Sequence, residues 1–265
     1  VGGTGNDTYI VDSSEDIVAE LDAEGTDTIQ SSINFTASYS VENLTLTGTA
    51  SLWGYGNELD NIITGNSGDN ILLGWSGSYL DYAYGTGADT LIGGAGNDNY
   101  TVDSTDDRII EELNEGTDVV YSYVSYTLSD NIENLGLTGT SSNHTNGTGN
   151  SLDNRITGTY GNNTLDGGTG DDTLLGYGGD DTYIVDSSND IVTEYDSEGT
   201  DLVLASASFE ISSNVENLTL TGSSDIDGTG NTSDNTLTGN SGNNTLTGGA
   251  GTDTAVFTGD FADYS

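Results

Sequence analysis

A glycine-rich nonapeptide recurs along the chain and constrains the fold more than any other feature. It reads GGTGNDTYI from Gly2, GGAGNDNYT from Gly93, GGTGDDTLL from Gly167 and GYGGDDTYI from Gly176. Glycines at positions 1, 2 and 4 of the motif permit backbone conformations that side chains forbid, position 6 carries a carboxylate, and position 8 carries a large apolar residue. One such unit cannot bury its single apolar side chain unless another unit stacks on it. The motif therefore predicts a fold built by repetition, in which six-residue turns alternate with three-residue strands.

The turn residues carry the chemistry of a cation site. Asp side chains and turn carbonyls are hard oxygen ligands of the kind that Ca²⁺ prefers. The chain holds 44 Asp and Glu but only two Lys and Arg, and the formal net charge of −42 opposes compaction unless cations neutralise it. The same charge repels nucleic acids and anionic membrane surfaces, and no apolar run approaches the roughly 20 residues of a membrane-spanning helix. We therefore expect several Ca²⁺ ions as cofactors, with neither a nucleic-acid partner nor membrane insertion.

A longer repeat encloses the nonapeptides. The segment VENLTLTG at Val41 returns as IENLGLTG at Ile132 and as VENLTLTG at Val215. Between these segments the sequence keeps a period of about nine residues. Self-similarity at a fixed period is typical of solenoids. The spacing predicts a single continuous solenoid over 1–265, with long repeats at about 1–92, 93–175 and 176–247 and with 248–265 as the start of a fourth repeat or an end segment. Because the chain begins and ends within a repeat, we expect it to be a piece of a longer protein.

The segments between the turns are too short for helices. Stretches such as 9–11, 17–18 and 44–46 are β-branched, aromatic or leucine-rich, and no window keeps a helical period well enough for a long helix. We predict an all-β protein in which the position-8 residues line the interior. Hydrophobic residues make up only 32% of the chain, so metal binding is expected to supply a good part of the free energy of folding.

The predicted Ca²⁺ ligands are Asp residues at position 6 of each turn or beside it. At six turns position 6 is Asn, which lowers the ligand charge and is expected to weaken the site, and in several of these turns an Asp at position 5 is the candidate substitute. The predicted set is Asp7, Asp16, Asp27, Asp69, Asp89, Asp98, Asp107, Asp118, Asp153, Asp171, Asp172, Asp180, Asp181, Asp190, Asp201, Asp234 and Asp253.

These motifs resemble the RTX, or haemolysin-type Ca²⁺-binding, repeat family. The longer elements GNDTYIVD, EGTDTI, VENLTLTG and GNELDNIITGNSGDN are similar to the extended RTX repeats of large secreted bacterial proteins. The resemblance implies a right-handed parallel β-roll in which Ca²⁺ lies between turns of successive coils on the same edge. It also implies type I secretion, with folding outside the cell and hence an extracellular or cell-surface location. The segment GWSGSYLDYA at Gly74 departs most from the pattern, because Tyr79 takes the Asp position, and we expect no ion there.

One group of aromatic residues occupies positions where the family pattern usually has Gly, Asn or Asp. Three roles are open for them: packing inside the roll where an ion is missing, a protein interface, or glycan binding. The group is Trp53, Tyr55, Trp75, Tyr79, Tyr82 and Tyr84.

The sequence offers little for catalysis. The chain has no Cys, a single His (His144) and no GxSxG motif, so nucleophilic triads have few residues to draw on, and we expect no catalytic residues. Because repeats fill the chain, the first hypothesis is a non-enzymatic extracellular structural protein, such as a surface-layer, adhesin-stalk or filament component that associates end to end. The alternative is the Ca²⁺-binding secretion module of an exported protease, lipase or polysaccharide-modifying enzyme, with its catalytic domain outside this segment.

Overall fold

The computed structural model describes residues 2–22, 24–75, 87–139 and 144–257. All the regular secondary structure of these residues is β, so none of them forms a helix with the length and apolar character to cross a bilayer. The residues fall into two units, Val1–Val124 with Ser129–Asn134 and Ser125–Leu128 with Leu135–Ser265. Tyr79, Tyr82, Tyr84 and positions 258–265 lie outside the described residues.

The first unit consists of two parallel sheets whose strands alternate along the chain. One sheet has the order β1-β2-β4-β6-β8-β10, and the other has the run β3-β5-β7-β9-β11. The strands are β1 (Thr8–Val11), β2 (Thr28–Ser31), β3 (Phe35–Thr36), β4 (Asn43–Leu46), β5 (Trp53–Tyr55), β6 (Ile62–Thr64), β7 (Ile71–Leu73), β8 (Thr90–Ile92), β9 (Asn99–Val102), β10 (Arg108–Ile110) and β11 (Val119–Ser122).

The second unit repeats this arrangement. The order β12-β14-β16-β18-β20-β22-β24-β26 forms a parallel sheet, and the strands between them form the runs β13-β15-β17-β19 and β21-β23-β25. The strands are β12 (Tyr126–Thr127), β13 (Asn134–Leu137, its first residue counted with the first unit), β14 (Gly147–Thr148), β15 (Arg155–Thr157), β16 (Thr164–Asp166), β17 (Thr173–Leu175), β18 (Thr182–Val185), β19 (Ile191–Thr193), β20 (Leu202–Ala205), β21 (Phe209–Glu210), β22 (Asn217–Leu220), β23 (Gly228–Thr229), β24 (Thr236–Thr238), β25 (Leu246–Thr247) and β26 (Thr254–Val256).

Ladders of apolar side chains form the interior of each unit. Ile29, Leu44, Ile63 and Leu91 pair in register across successive coils and are at most 1% exposed. Each coil contributes one inward side chain per strand to such a ladder, and stacking removes that side chain from water. The predicted all-β parallel β-roll is therefore confirmed in both units. The position-8 residues buried as predicted are Ile63, Leu72, Leu91, Tyr100, Ile156, Leu165, Leu174, Tyr183 and Leu237, whereas Tyr9 and Leu246 are half-buried.

The aromatic group is described only in part. Trp53 and Tyr55 are neighbours on one face of β5, where their rings stack with centroids 4.4 Å apart. The ring of Trp75 meets that of Tyr123 edge-on at 6.1 Å. Both contacts join aromatic rings of the first unit to each other, and the proposed partners of this group stay a prediction.

Candidate metal sites

The nonapeptide turn at Gly167 shows why the motif needs its glycines. Gly168 and Gly170 have φ values of +89° and +134°, which L side chains rarely adopt. A Cβ on Gly167 would lie less than 3.0 Å from Oδ2 of Asp172, so the first glycine leaves room for that oxygen. The turn thus wraps a space into which the position-6 carboxylate points.

Backbone hydrogen bonds from the preceding coil fix one oxygen of most position-6 carboxylates. Asn154 donates its N–H to Oδ1 of Asp172 at 2.7 Å, and Asp172 donates its own N–H to Oδ1 of Asp190 at 2.8 Å. The same bond links the Asp residues of successive coils elsewhere, at 2.7–2.8 Å. These pairs are Asp7 with Asp27, Asp98 with Asp118, and Asp181 with Asp201. One carboxylate oxygen is therefore a structural acceptor, and the other is left for the interior of the turn.

That second oxygen has no hydrogen-bond partner in five of the turns. The Oδ2 atoms are buried and unpartnered in Asp7, Asp98, Asp118, Asp172 and Asp181. Leaving a buried polar atom unsatisfied costs about 1–3 kcal/mol, and more for a charged group. Hard anionic oxygens that lack a donor are the ligands that Ca²⁺ selects, so these turns fit the ion that the motif predicts.

The electrostatics of the ion-free turns support the same assignment. Burial, with the neighbouring carboxylates adding to it, raises the pKa of Asp89, Asp98 and Asp181 to about 7 and that of Asp172 to about 6. The protein offers these groups too little positive charge to stabilise their ionised forms. A bound cation supplies that charge and reverses the shift.

Turns with Asn at position 6 satisfy themselves without an ion. Asn163 accepts the N–H of Thr159 on Oδ1 and donates its side-chain N–H to the carbonyl of Thr145, both at 2.6 Å. Asn235 likewise donates its amide to the carbonyl of Val215 at 3.1 Å. The amide nitrogen therefore supplies a donor to backbone oxygens that would otherwise need another partner. This is a physical reason for the weak sites predicted at these turns.

Three of the predicted ligands act as caps of their own turns. The Oδ2 atom of Asp190 accepts the N–H groups of Asp186 and Ser187 at 3.1 and 3.0 Å, while its Oδ1 accepts that of Asp172. Asp107 repeats these bonds, and Asp16 accepts the two equivalent N–H groups of its own turn. The geometry thus gives these carboxylates backbone donors, and their role as Ca²⁺ ligands stays a prediction.

The position-5 carboxylates lie on the exposed side of their turns. There each accepts a backbone or side-chain donor from the following coil; for example, Asp171 donates its N–H to Oδ1 of Asp153 and accepts the hydroxyl of Ser187. Three of them, Asp69, Asp153 and Asp234, are the substitutes expected beside an Asn at position 6, and their role as Ca²⁺ ligands stays a prediction. The residues are Asp69, Asp153, Asp171, Asp180 and Asp234.

The sequence reasoning missed three Glu residues that meet the predicted Asp pairs. In each of the following groups, one carboxylate oxygen from every member lies within 4.8 Å of the others: Asp7, Glu20 and Asp27; Asp98, Glu111 and Asp118; Asp181, Glu194 and Asp201. The signal was present in the sequence, since each Glu follows its first Asp by the same interval. Asp89 and Asp253 also aim Oδ2 at a turn glycine, Gly74 and Gly248, but neither belongs to one of these groups.

The repeats match a described family. The model of the RTX calcium-binding nonapeptide repeat finds four copies, at residues 55–78, 85–109, 148–192 and 229–260. With the parallel β-roll and its carboxylate-lined turns, this match defines a calcium-binding solenoid. Four copies of the RTX calcium-binding nonapeptide repeat are therefore present in this chain.

Two curated relatives from Rhizobium meliloti (strain 1021) share part of this sequence. Endo-1,3-1,4-beta-glycanase ExsH is 42% identical over 72 residues, which are 27% of this chain and 15% of that protein. Endo-1,3-1,4-beta-glycanase EglC is 32% identical over 117 residues, which are 44% of this chain and 23% of that protein. The chain therefore spans less than a quarter of the length of either glycanase.

Proposed function

We propose that this chain is a non-catalytic module that folds when it binds Ca²⁺ and that stiffens an exported bacterial protein. The observation that carries the proposal is the set of buried, unpartnered carboxylate oxygens inside the turns. A chain of net charge −42 that gathers such groups is stabilised by any cation that binds its folded form and not its unfolded form.

Calcium-dependent folding would also favour export of the module in one direction across a membrane. In a compartment poor in Ca²⁺ the carboxylates repel one another and favour the extended chain, whereas extracellular Ca²⁺ favours the roll. Type I secretion and an extracellular or cell-surface location fit this behaviour, and they are part of the proposal.

Two roles are consistent with such a module. In the first, the repeats are themselves the functional part, as a component of a surface layer, an adhesin stalk or a filament that associates end to end. In the second, they are appended to an exported enzyme that acts on polysaccharide. The names of the two glycanases favour the second role, because both proteins contain a segment similar to these repeats.

Calorimetric titration tests calcium binding directly. Protein stripped of metal should bind several Ca²⁺ ions, and Mg²⁺ in place of Ca²⁺ should bind far more weakly, because Mg²⁺ requires a smaller and more regular shell of ligands. The absence of any binding heat with Ca²⁺ would remove the proposal. The role is decided separately by reading the coding frame beyond positions 1 and 265: a glycanase domain there supports the appended module, and further repeats alone support the structural one.

A further inference from the structure

The three carboxylate clusters recur once in each long repeat and have a coil geometry of their own. Within a cluster, the two Asp residues of successive coils are 20 residues apart, as in Asp181 and Asp201, whereas Asp172 and Asp190 of an ordinary coil are 18 apart. The longer coil carries the cluster's Glu. In the second repeat, Asp98, Glu111 and Asp118 are 0%, 6% and 1% exposed, so the whole cluster lies inside the fold.

The Glu takes the place that a backbone carbonyl holds in the turns with Asn at position 6. A Cβ built on Gly149 would meet the carbonyl oxygen of Gly167, its counterpart in the next coil. A Cβ on Gly93 would instead meet Oε1 of Glu111, Oδ2 of Asp98 and the hydroxyl of Tyr100, each at less than 3.0 Å. Where the Asn turns present a neutral carbonyl, the cluster turn therefore presents a carboxylate, and the glycine keeps the space around it open.

Two neighbours hold the Glu in position. The hydroxyl of Tyr100, a fully buried position-8 residue, donates to Oε1 of Glu111. The side-chain amide of Asn131 in the following coil donates to the backbone carbonyl of Glu111 at 2.9 Å. Tyr183, Glu194 and Asn214 repeat both bonds in the third long repeat.

The remaining oxygens of the cluster have no donors. Oε2 of Glu111 and the Oδ2 atoms of Asp98 and Asp118 are buried and make no hydrogen bond. The third repeat leaves Asp181 Oδ2 and Glu194 Oε2 in this state, and the first leaves Asp7 Oδ2 and Glu20 Oε2. Three anionic oxygens that converge without a donor match the ligand chemistry of a hard divalent cation.

We propose that each cluster binds one Ca²⁺ ion, and that the three clusters form a class of sites tighter than the other turns. The inference rests on the proposed calcium-dependent folding and adds to it the place and the number of the strongest sites. Affinity for Ca²⁺ rises with the number of charged ligands, and each cluster adds a Glu carboxylate to its Asp pair. Glu20, Glu111 and Glu194 become ligands, while Tyr100 and Tyr183 are positioning residues.

The test counts tightly bound ions in the 265-residue chain by titration calorimetry, with circular dichroism at saturating Ca²⁺ as the check of folding. Wild-type protein should show three tight sites ahead of the weaker ones. Glu111→Gln keeps the size of the side chain but removes its charge, and should show two. The matched control is Glu112→Gln, the same change at the exposed neighbour, and should keep three. Three tight ions in Glu111→Gln would overturn the inference.

A second variant tests the positioning role and keeps the inference falsifiable if Glu111→Gln does not fold. Tyr100→Phe removes only the donor to Glu111 and should weaken Ca²⁺ binding at one tight site by about 10–100-fold. It should also reduce the luminescence of bound Tb³⁺ excited through tyrosine, because energy transfer requires a ring close to the ion, and loss of a tyrosine remote from any ion would leave the luminescence unchanged. Unaltered affinity and luminescence would contradict the inference, whereas a wild-type chain that binds no Ca²⁺ at all would contradict the proposed function itself.

Discussion

Asn163 and Asp181 occupy position 6 of turns that stack on one another, and their side chains differ by a single terminal atom. The backbone N–H of Asn163 donates to Oδ1 of Asp181 at 2.6 Å, so the two turns share one ladder. The side-chain nitrogen of Asn163 donates to the carbonyl of Thr145, whereas Oδ2 of Asp181, the equivalent atom, accepts no hydrogen bond. At the scale of the residue, this choice determines whether a turn needs an ion.

The first glycine of a cluster turn gives a prediction at the same scale. Gly176→Ala would place a methyl group against the hydroxyl of Tyr183, Oδ2 of Asp181 and Oε1 of Glu194. Overpacking of this kind typically costs about 1–3 kcal/mol, and here it also fills the space for the ion. We expect a lower melting temperature in saturating Ca²⁺ and a smaller gain on adding Ca²⁺ than in wild type.

Gly178 is the matched control, two residues along the same turn. A Cβ there would make only ordinary contacts, 3.5 Å from a ring carbon of Tyr160 and 3.7 Å from the carbonyl of Glu198. Gly178→Ala should therefore melt close to wild type. Equal losses in the two variants would refute the specific role given to Gly176.

At the scale of the element, the turns are of two kinds: Asp turns that leave a buried carboxylate oxygen without a donor, and Asn turns whose amide donates to a backbone carbonyl. The Asn turns place a side-chain amide on the carbonyls of the preceding coil, as Asn235 does with Val215. They occur in the same stacks as Asp turns, as in the run Asn163, Asp181 and Asp201. A roll built this way keeps part of its hydrogen bonding when the metal is removed.

Conversion of one turn type into the other tests this distinction. Asn163→Asp removes the donor to the carbonyl of Thr145 and adds a buried charge, so the chelated protein should lose about 1–3 kcal/mol of stability. Added Ca²⁺ should recover that loss, as shown by melts with and without the ion. Asn162→Asp adds the same charge at the exposed neighbouring position and should change neither melt appreciably. A calcium-independent loss in Asn163→Asp would contradict the two-type account.

The repeat pattern predicted the strands and the turns well because both depend on local chemistry. The interval of nine placed inward residues such as Leu165 and Leu237 in their ladders, and parallel stacking followed from the need to bury them. The candidate sites were harder to predict. Glu111 meets Asp98 and Asp118 only because a coil is two residues longer, and Asp190 has no free oxygen only because its turn folds back on it. Such contacts arise between coils, and the motif alone does not contain them.

At the scale of the whole molecule, excess negative charge and buried carboxylates are expected to make the folded state less stable as pH rises. Burial raises the pKa of Glu111 to about 9, of Glu194 to about 8, and of Asp98 and Asp181 to about 7 in the ion-free fold. The same groups titrate at about 4 in an unfolded chain. Between these values the folded form holds more protons, so stability falls as pH rises.

Metal-stripped protein should accordingly be more stable at pH 5 than at pH 8. In many other proteins the carboxylates are paired, and stability increases as pH rises over the acid range. Denaturant unfolding at the two pH values, each with and without Ca²⁺, measures this. Saturating Ca²⁺ should remove or invert the difference, because the ion holds the carboxylates ionised. Ion-free stability that rises from pH 5 to pH 8 would contradict the assignment of these groups as buried and uncompensated.

The central claim is that calcium drives the folding of this chain, and circular dichroism in chelator tests it most directly. With all metal removed at neutral pH, the β spectrum should weaken markedly and the melting temperature should fall, and addition of Ca²⁺ should restore both in proportion to its free concentration. The same chain in Mg²⁺ should recover far less. An unchanged β spectrum and an unchanged melting temperature in excess chelator would contradict the account.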